Sequence, residues 1–462
     1  MSAATIVTGR HVLLPGCMEP RPATITIDQS GKISAIQDAW RPHDTRLPTS
    51  DHVTRIDAGD SIVIPGLVDI SDSAHVHLNE PGRTDWEGFW TGTRAAASGG
   101  VTCVVDMPLN SIPPTCTVDN LEVKRAAARG QCFTDVAFWG GVIPGNQAHL
   151  TPLVNAGVRG FKCFLIESGV EEFPCVNEVD LASAMTELQN SPTVLLFHAE
   201  FDSSSGVSSQ PAPPSTSYAT FLDSRPEKLE TDAISLITKL QRSYPLLRCH
   251  IVHLSAASAL PLIRAAKSSG LKLSVETCFH YLCLSADDIP SGHPEFKCCP
   301  PIREKMNREL LWEALQDDSI DCVVSDHSPC ITELKKIDEG DIMGAWGGIS
   351  TLGLGLSLLW TEGSKRGVSL AQILQWTSVK TAEHTGLGDS KGQLKVGFDG
   401  DFVIWNPSAE FTVTKDSLQF KNKLSPYEGR TLRGRVEKTY LRGSLVYDHV
   451  TQFESAPFGR LL

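Results

Sequence analysis

Two histidines, His75 and His77, stand one residue apart. In an extended segment residues i and i+2 point to the same side, so both imidazoles can reach one metal ion. Alone, the pair is weak evidence and reads more simply as two partly buried histidines near a turn. Four further residues shift the weighing: Lys162 in GFKCF, His198 in LLFHAE, His253 in HIVHLS and Asp326 in VVSDHS, each near the end of an apolar run. Neutral imidazoles and a carboxylate are good ligands for zinc and similar divalent ions. Lys162 is the odd member, because an ammonium repels a metal. Burial, however, disfavours the charged form of a lysine. Its free amine can add to carbon dioxide, and the carbamate so formed is a carboxylate on a long stem, able to bridge two ions. An ion pair between Lys162 and Asp326 is the competing reading. His250 lies three residues before His253, so in a strand the two face opposite ways; His253 is the candidate and His250 is read as structural. His280 and His327 read equally as helpers of the site or as ordinary loop histidines.

These residues are far apart along the chain, so the fold must gather them. Eight apolar, β-rich runs are visible between about residues 62 and 330: SIVIPGLVDI, VTCVVDM, DVAFWGG, VRGFKCF, TVLLFHAE, RCHIVHLS, KLSVET and DCVVSD. Their spacing suits βα units, and the lack of clean polar alternation suits a parallel sheet covered on both faces. Eight such units predict an α/β fold with a (β/α)8 TIM-like barrel. In a barrel the carboxyl ends of all strands meet at one mouth, where the candidate residues would converge. One intervening helix is predicted over 232–241, with Ala233, Leu236, Ile237 and Leu240 on one face and Thr231 or Asp232 as cap. Strand-and-turn patterns fill the first sixty residues and return after residue 390. The simplest reading joins the two ends into one small β-sandwich, giving 1–61 and 391–462 to the sandwich and 62–390 to the barrel; two separate β-modules are the alternative. The Ser/Pro-rich stretch Ser203 to Ser217 is read as a surface loop.

Composition narrows the function classes. The chain has 462 residues, 41% of them hydrophobic, enough for a large core. Lys+Arg is 41 and Asp+Glu 54, so the net charge is 41 − 54 = −13. An acidic chain without a basic block is a poor partner for nucleic acid or anionic membrane. No apolar run approaches the roughly 18–20 residues of a membrane span. The start shows no secretory pattern, and the 13 cysteines form no CxxC pair. A cytoplasmic location with reduced thiols, mostly small core residues, is the expectation.

The motifs PGLVD, HVHLNEPGRTDWEGF, AAASGGVTCVVDMPLNSIPPT, GFKCFLIESGV, HAE, SRPEKLETDAI, HIVHLS, ETCFHYL, KCCPPIRE, SDHSPC and KVGFDGDFVIWNP occur in this order along nearly the whole chain. In them the sequence resembles the cyclic amidohydrolases of the amidohydrolase superfamily. The resemblance implies a metal-bearing (β/α)8 barrel with a β-sandwich from both chain ends. It implies that His75 and His77 bind a first metal and His198 and His253 a second. It further implies that Lys162, carboxylated, bridges both, and that Asp326 binds the first and handles the proton. The implied cofactors are two divalent ions, usually Zn2+, with carbon dioxide consumed in modifying Lys162; a homo-oligomer, dimer or tetramer, is also implied. Within the superfamily, dihydroorotases resemble one another in an Arg two positions after the second metal His, where Asn79 stands here. Hydantoinases and dihydropyrimidinases place a Tyr five residues after the bridging Lys, where Glu167 stands here. HVHLNEPG, MPLNSIPPT and KCCPPIR look allantoinase-like, which implies hydrolysis of (S)-allantoin to allantoate in purine degradation. Asn79, Asn110 and Ser168 are the substrate-binding candidates for that neutral, amide-rich ring, and each could instead hold a loop. Another cyclic amidase is the runner-up; a non-catalytic scaffold would have lost ligands. The sequence departs from the family at one place: five residues, Ile70 to Ala74, separate Asp69 from His75, about four more than usual.

Overall fold

The computed structural model describes residues 4–40, 53–69, 76–203, 214–453 and 456–462. His75, the extra residues 70–74 and most of the Ser/Pro-rich stretch (204–213) therefore lie outside the described residues.

The barrel strands are β6 (Leu67–Asp69), β7 (Val101–Asp106), β8 (Asp135–Phe138), β9 (Gly140–Gly141), β10 (Phe161–Phe164), β11 (Val194–His198), β12 (Arg248–Ile251), β13 (Leu273–Cys278) and β14 (Cys322–Val324). All pair in parallel, in the order β6-β7-β8 and β9 through β14. Only Trp139 separates β8 from β9, so these two segments fill one barrel position and the nine segments make eight. Their side chains are almost uniformly buried. That is why the runs lack polar alternation: the inner face packs in the barrel and the outer face packs under helices. Between β14 and β6 the Ser325 backbone N–H donates to the Asp69 carboxylate at 3.3 Å.

The second sheet is built from both chain ends. Its strands are β1 (Ala4–Val12), β2 (Arg21–Ile27), β3 (Ile33–Gln37), β4 (Val53–Asp57), β5 (Ile62–Pro65), β15 (Phe402–Thr412), β16 (Thr431–Leu441) and β17 (Ser444–Asp448). The order is β17-β16-β15-β5-β1-β2-β3, with β4 beside β1. The antiparallel β5–β15 pair joins the termini. The run SIVIPGLVDI is thus two strands, not one: Ile62–Pro65 serves the end sheet and Leu67–Asp69 the barrel. The hinge is Gly66, where a Cβ would meet the Thr102 Oγ1 at 2.3 Å. Only glycine lets the chain pass from one sheet to the other against β7.

A buried ion cluster ties the two units together. Lys391 Nζ lies 2.7 Å from Asp135 at the start of β8, 3.0 Å from Asp399 and 2.8 Å from Asp401. Arg442, just after β16, adds a contact to Asp135 at 2.7 Å.

The helix predicted over 232–241 runs from Lys228 to Gln241. Ala233 and Ile237 are buried, and Leu236 and Leu240 half-buried. Thr231 and Asp232 do not cap it, because the helix starts a turn earlier, with Glu227 in the cap position. Asp232 instead takes the Lys228 ammonium. All thirteen cysteines are free thiols and most are buried. No helix among the described residues is long and apolar enough to cross a membrane.

Candidate metal centre

A cavity of about 430 Å³ opens at the carboxyl ends of the barrel strands. His77, Asn110, His198, Arg225, Asp326 and Trp346 are among its walls. His77 follows the short bridge between Val76 and Asp106. His198 is the last residue of β11, and His253 and Asp326 each stand two residues beyond their strands. Lys162 lies inside β10, fully buried. The parallel register sets Phe164 beside His198. The Phe164 ring then stacks on the His198 imidazole at 4.5 Å, while the Lys162 ammonium lies 5.1 Å from the same ring. The His198 and His253 rings are 4.6 Å apart.

His253 and Asp326 share a backbone feature. Their φ angles are 39° and 45°, in the left-handed region that non-glycine residues seldom occupy. Such strain at functional sites persists only where surroundings hold it. For His253 the holder is Glu276 on β13, whose carboxylate accepts the His253 N–H at 3.2 Å and whose carbonyl accepts the Leu254 N–H at 2.8 Å. For Asp326, the flanking Ser325 N–H is tied to Asp69.

The imidazoles are oriented from behind. His198 Nε2–H donates to Glu200 at 2.7 Å, which leaves its Nδ1 lone pair for another partner. Arg225 grips the same carboxylate. Burial would raise the Glu200 pKa, but Arg225 and His198 together prevail and bring it to about 2. Burial also lowers the pKa of His198, keeping it neutral. The Asn110 amide lies 3.1 Å from His77 Nδ1. Burial pulls Lys162 down to about 7, against the opposing pull of Asp326. A lysine so placed is partly the free amine at neutral pH.

The substrate candidates fall in different places. Asn110, at φ 65°, lines the cavity. Ser168 lines it too, but its hydroxyl bonds within its own loop, to Val170 and Phe173 carbonyls at 3.2 and 2.6 Å. Asn79 is buried at φ 60° and is not among the cavity walls; its backbone carbonyl accepts the Arg83 N–H. Glu167 is a wall residue. His250 is buried, with Nδ1 2.7 Å from the Ser274 hydroxyl and Nε2 3.4 Å from Glu276. His327 accepts the Thr351 and Leu352 N–H groups on Nδ1 and faces Glu87 at 3.3 Å, so it fastens a loop. His280 faces Asp326 at 3.7 Å.

Sequence reasoning passed over Glu200, Arg225, Glu276 and two lysines, Lys297 in the cavity wall and Lys335 behind it. Glu200 had a signal, two residues after His198 on the same strand face. Arg225 and Glu276 had none of comparable strength. Lys297 donates to the Met343 carbonyl at 2.7 Å and Lys335 to the Trp346 carbonyl at 3.0 Å, which pins the 343–348 wall.

Known proteins place this arrangement. An allantoinase of Saccharomyces cerevisiae is 44% identical over 99% of this chain and 98% of its own length. A mitochondrial allantoinase of Aquarana catesbeiana is 53% identical over 80% of this chain and 74% of its own. The solved L-hydantoinase (dihydropyrimidinase) of Arthrobacter aurescens superposes with a TM-score of 0.89 at 27% identity, covering 99% of both chains. The amidohydrolase family pattern matches residues 62–446. The chain belongs to the amidohydrolase family.

Proposed function

We propose that the protein hydrolyses the cyclic amide of allantoin to allantoate. The single observation that carries this is the 44–53% identity to curated allantoinases across most of the chain, set beside a cavity walled by His77, His198 and Asp326. The solved L-hydantoinase keeps a second reading alive, hydrolysis of hydantoin or dihydropyrimidine rings. Against it, the wall position five residues after Lys162 is Glu167.

Membership of the amidohydrolase family implies a divalent metal. The donor set fits such an ion: a buried neutral imidazole at His198, the buried His253 beside it, His77 on the same cavity, and Asp326 and Lys162 within each other's field. His75, His77 and Asp326 would hold one Zn2+ ion and His198 and His253 a second, with Lys162, as a carbamate, serving as a ligand to both. His75 enters from the sequence, since it lies outside the described residues. When bound, such ions lower the pKa of water and polarise an amide carbonyl. Forming the carbamate needs the neutral amine that burial provides at Lys162. Asn110 Nδ2 faces His77 Nδ1 at 3.1 Å and so helps to orient that imidazole. Asp326 takes the proton of the attacking water and returns it to the leaving ring nitrogen, base first and acid second. Arg225 and Glu200 keep His198 in one tautomer throughout.

The same reading keeps 1–61 and 391–462 as a β-sandwich domain and 62–390 as the barrel, with Ile62–Pro65 lending a strand to the former. Support for the sandwich is the shared core of Ile25, Ile27, Val63, Phe402, Ile404 and Tyr440, drawn from both ends. The family resemblance supports a homo-oligomer, and the free thiols fit a cytoplasmic location. The test is allantoate formation by metal-loaded and chelated protein, beside hydantoin, dihydrouracil and dihydroorotate. Faster turnover of hydantoin or dihydrouracil than of allantoin overturns the reading.

A further inference from the structure

We propose that Cys278, His280 and Asp326 form an additional divalent-metal site behind the catalytic centre, sharing Asp326 with it. Cys278 ends β13, and His280 sits in the short helix Phe279–Cys283 that follows directly. Asp326 arrives from the neighbouring strand, whose Val324 pairs with Cys278. One donor atom from each of the three lies within 4.8 Å of the others, and all three residues are buried. His280 Nε2 is 3.7 Å from the nearer Asp326 oxygen, too far for a hydrogen bond. Tetrahedral zinc, with bonds of about 2.0–2.3 Å, holds its donors roughly 3.3–3.6 Å apart. The His280–Asp326 separation of 3.7 Å is close to that spacing, and the Cys278 sulfur lies within 4.8 Å of both.

A second observation points to a ligand. His280 is fully buried, and neither ring nitrogen has a hydrogen-bond partner among the described residues. Buried imidazoles are rarely left so. The ionisable groups that act on Cys278 most strongly (Asp326, Glu276, Cys298 and Asp69) are all acidic, and Asp326 is the one that acts on His280. The other buried cluster of three acidic donors, Asp135, Asp399 and Asp401, already holds Lys391 at its centre.

The sulfur donor selects a borderline-soft ion such as zinc or cobalt over magnesium or calcium. Binding breaks the Cys278 S–H bond and forms a sulfur–metal bond, and the proton leaves to solvent. A metal drives this even where burial favours the thiol. An ion in this site engages Asp326 and withdraws it from proton transfer, so excess metal inhibits. That consequence rests on the proposed function; the site itself does not.

Cobalt titration of the full chain tests it. The ligands assigned to the catalytic centre offer only nitrogen and oxygen donors, and Cys298 and Cys299 also line its cavity, so a near-ultraviolet sulfur-to-cobalt band is assigned to the new site by its loss in Cys278→Ser. Past the cobalt level that maximises allantoin hydrolysis, the band is expected to grow while turnover falls. In Cys278→Ser both band and inhibition are lost, while the visible absorption of cobalt at the nitrogen/oxygen centre persists. Absence of the band in the parent protein, or the same band in Cys278→Ser, overturns the site. Should Cys278→Ser fail to fold, His280→Gln serves: weaker cobalt uptake into the band supports the site, and unchanged uptake overturns it. A band without any allantoin hydrolysis keeps the site and overturns the functional reading instead.

Discussion

Lys162, within a barrel strand, and Lys391, where the barrel meets the end sheet, are both buried lysines, and burial is the largest influence on each. It acts on them alike, disfavouring the ammonium, yet they end in opposite states. Lys391 faces three carboxylates at 2.7–3.0 Å, which carry its pKa well above the ordinary value. Lys162 has Leu196 opposite it on β11 and the Phe164 ring 5.1 Å away; Asp326 and Glu276 oppose burial without outweighing it, so its pKa falls to about 7. Residue type and burial therefore do not separate a structural lysine from a reactive one. The balance between burial and the surrounding carboxylates does. Where the carboxylates prevail, the lysine is a brace between sheet and barrel. Where burial prevails, a lysine near neutrality stands beside imidazoles and a carboxylate.

Exchanging each lysine tests the contrast most sharply. Lys162→Ala should reduce turnover by about a thousandfold or more, since metal stabilisation of the transition state is worth several kcal/mol. Elemental analysis should find metal content well below that of the parent protein, partly restored by short carboxylic acids. Full metal content without such acids would falsify the bridging role. Asp326→Asn comes next, with turnover lower by about a hundredfold to ten-thousandfold while much metal is retained. Normal turnover in that variant would remove Asp326 from the proton step.

On the other side of the comparison, Lys391→Met leaves Asp135, Asp399 and Asp401 buried without their central cation. The expected loss is about 3–5 kcal/mol of stability, with metal content of the folded fraction unchanged. Because the folded pKa of Lys391 is raised, its contribution is fully present below the unfolded value near 10.5 and fades only as pH climbs through the folded one. Chemical denaturation at neutral pH decides it: a variant as stable as the parent would break the contrast. Glu200 gives the smallest effect. Its folded pKa, about 2, is depressed from 4.5, so its stabilisation is present above 4.5 and lost as pH falls toward 2. Roughly 3 kcal/mol should disappear over that interval. Glu200→Gln should flatten that part of the stability–pH curve; an unchanged slope would show that other carboxylates govern it.

Much of the architecture could be read before any coordinates. The eight runs are the eight barrel positions, because strands covered on both faces must be apolar throughout. His198, His253 and Asp326 stood out because they close such runs, and strand ends of a barrel share one mouth. Glycine's role at Gly66 was hidden, since it depends on Thr102 packing across from it. The early start of the helix Lys228–Gln241 was hidden by the polar residues of its first turn.

What the linear order of residues determined by itself was periodicity and chemical type: where strands run, and which donors terminate them. Only the tertiary structure decided which polar groups meet. Arg225 reaches Glu200 across 25 residues, Glu276 supports His253 across 23, and Lys391 gathers Asp135 from a distant strand. The reason is physical: local patterns arise from a short repeat along the backbone, whereas the protonation state of a buried group is set by neighbours that folding alone brings within a few ångströms.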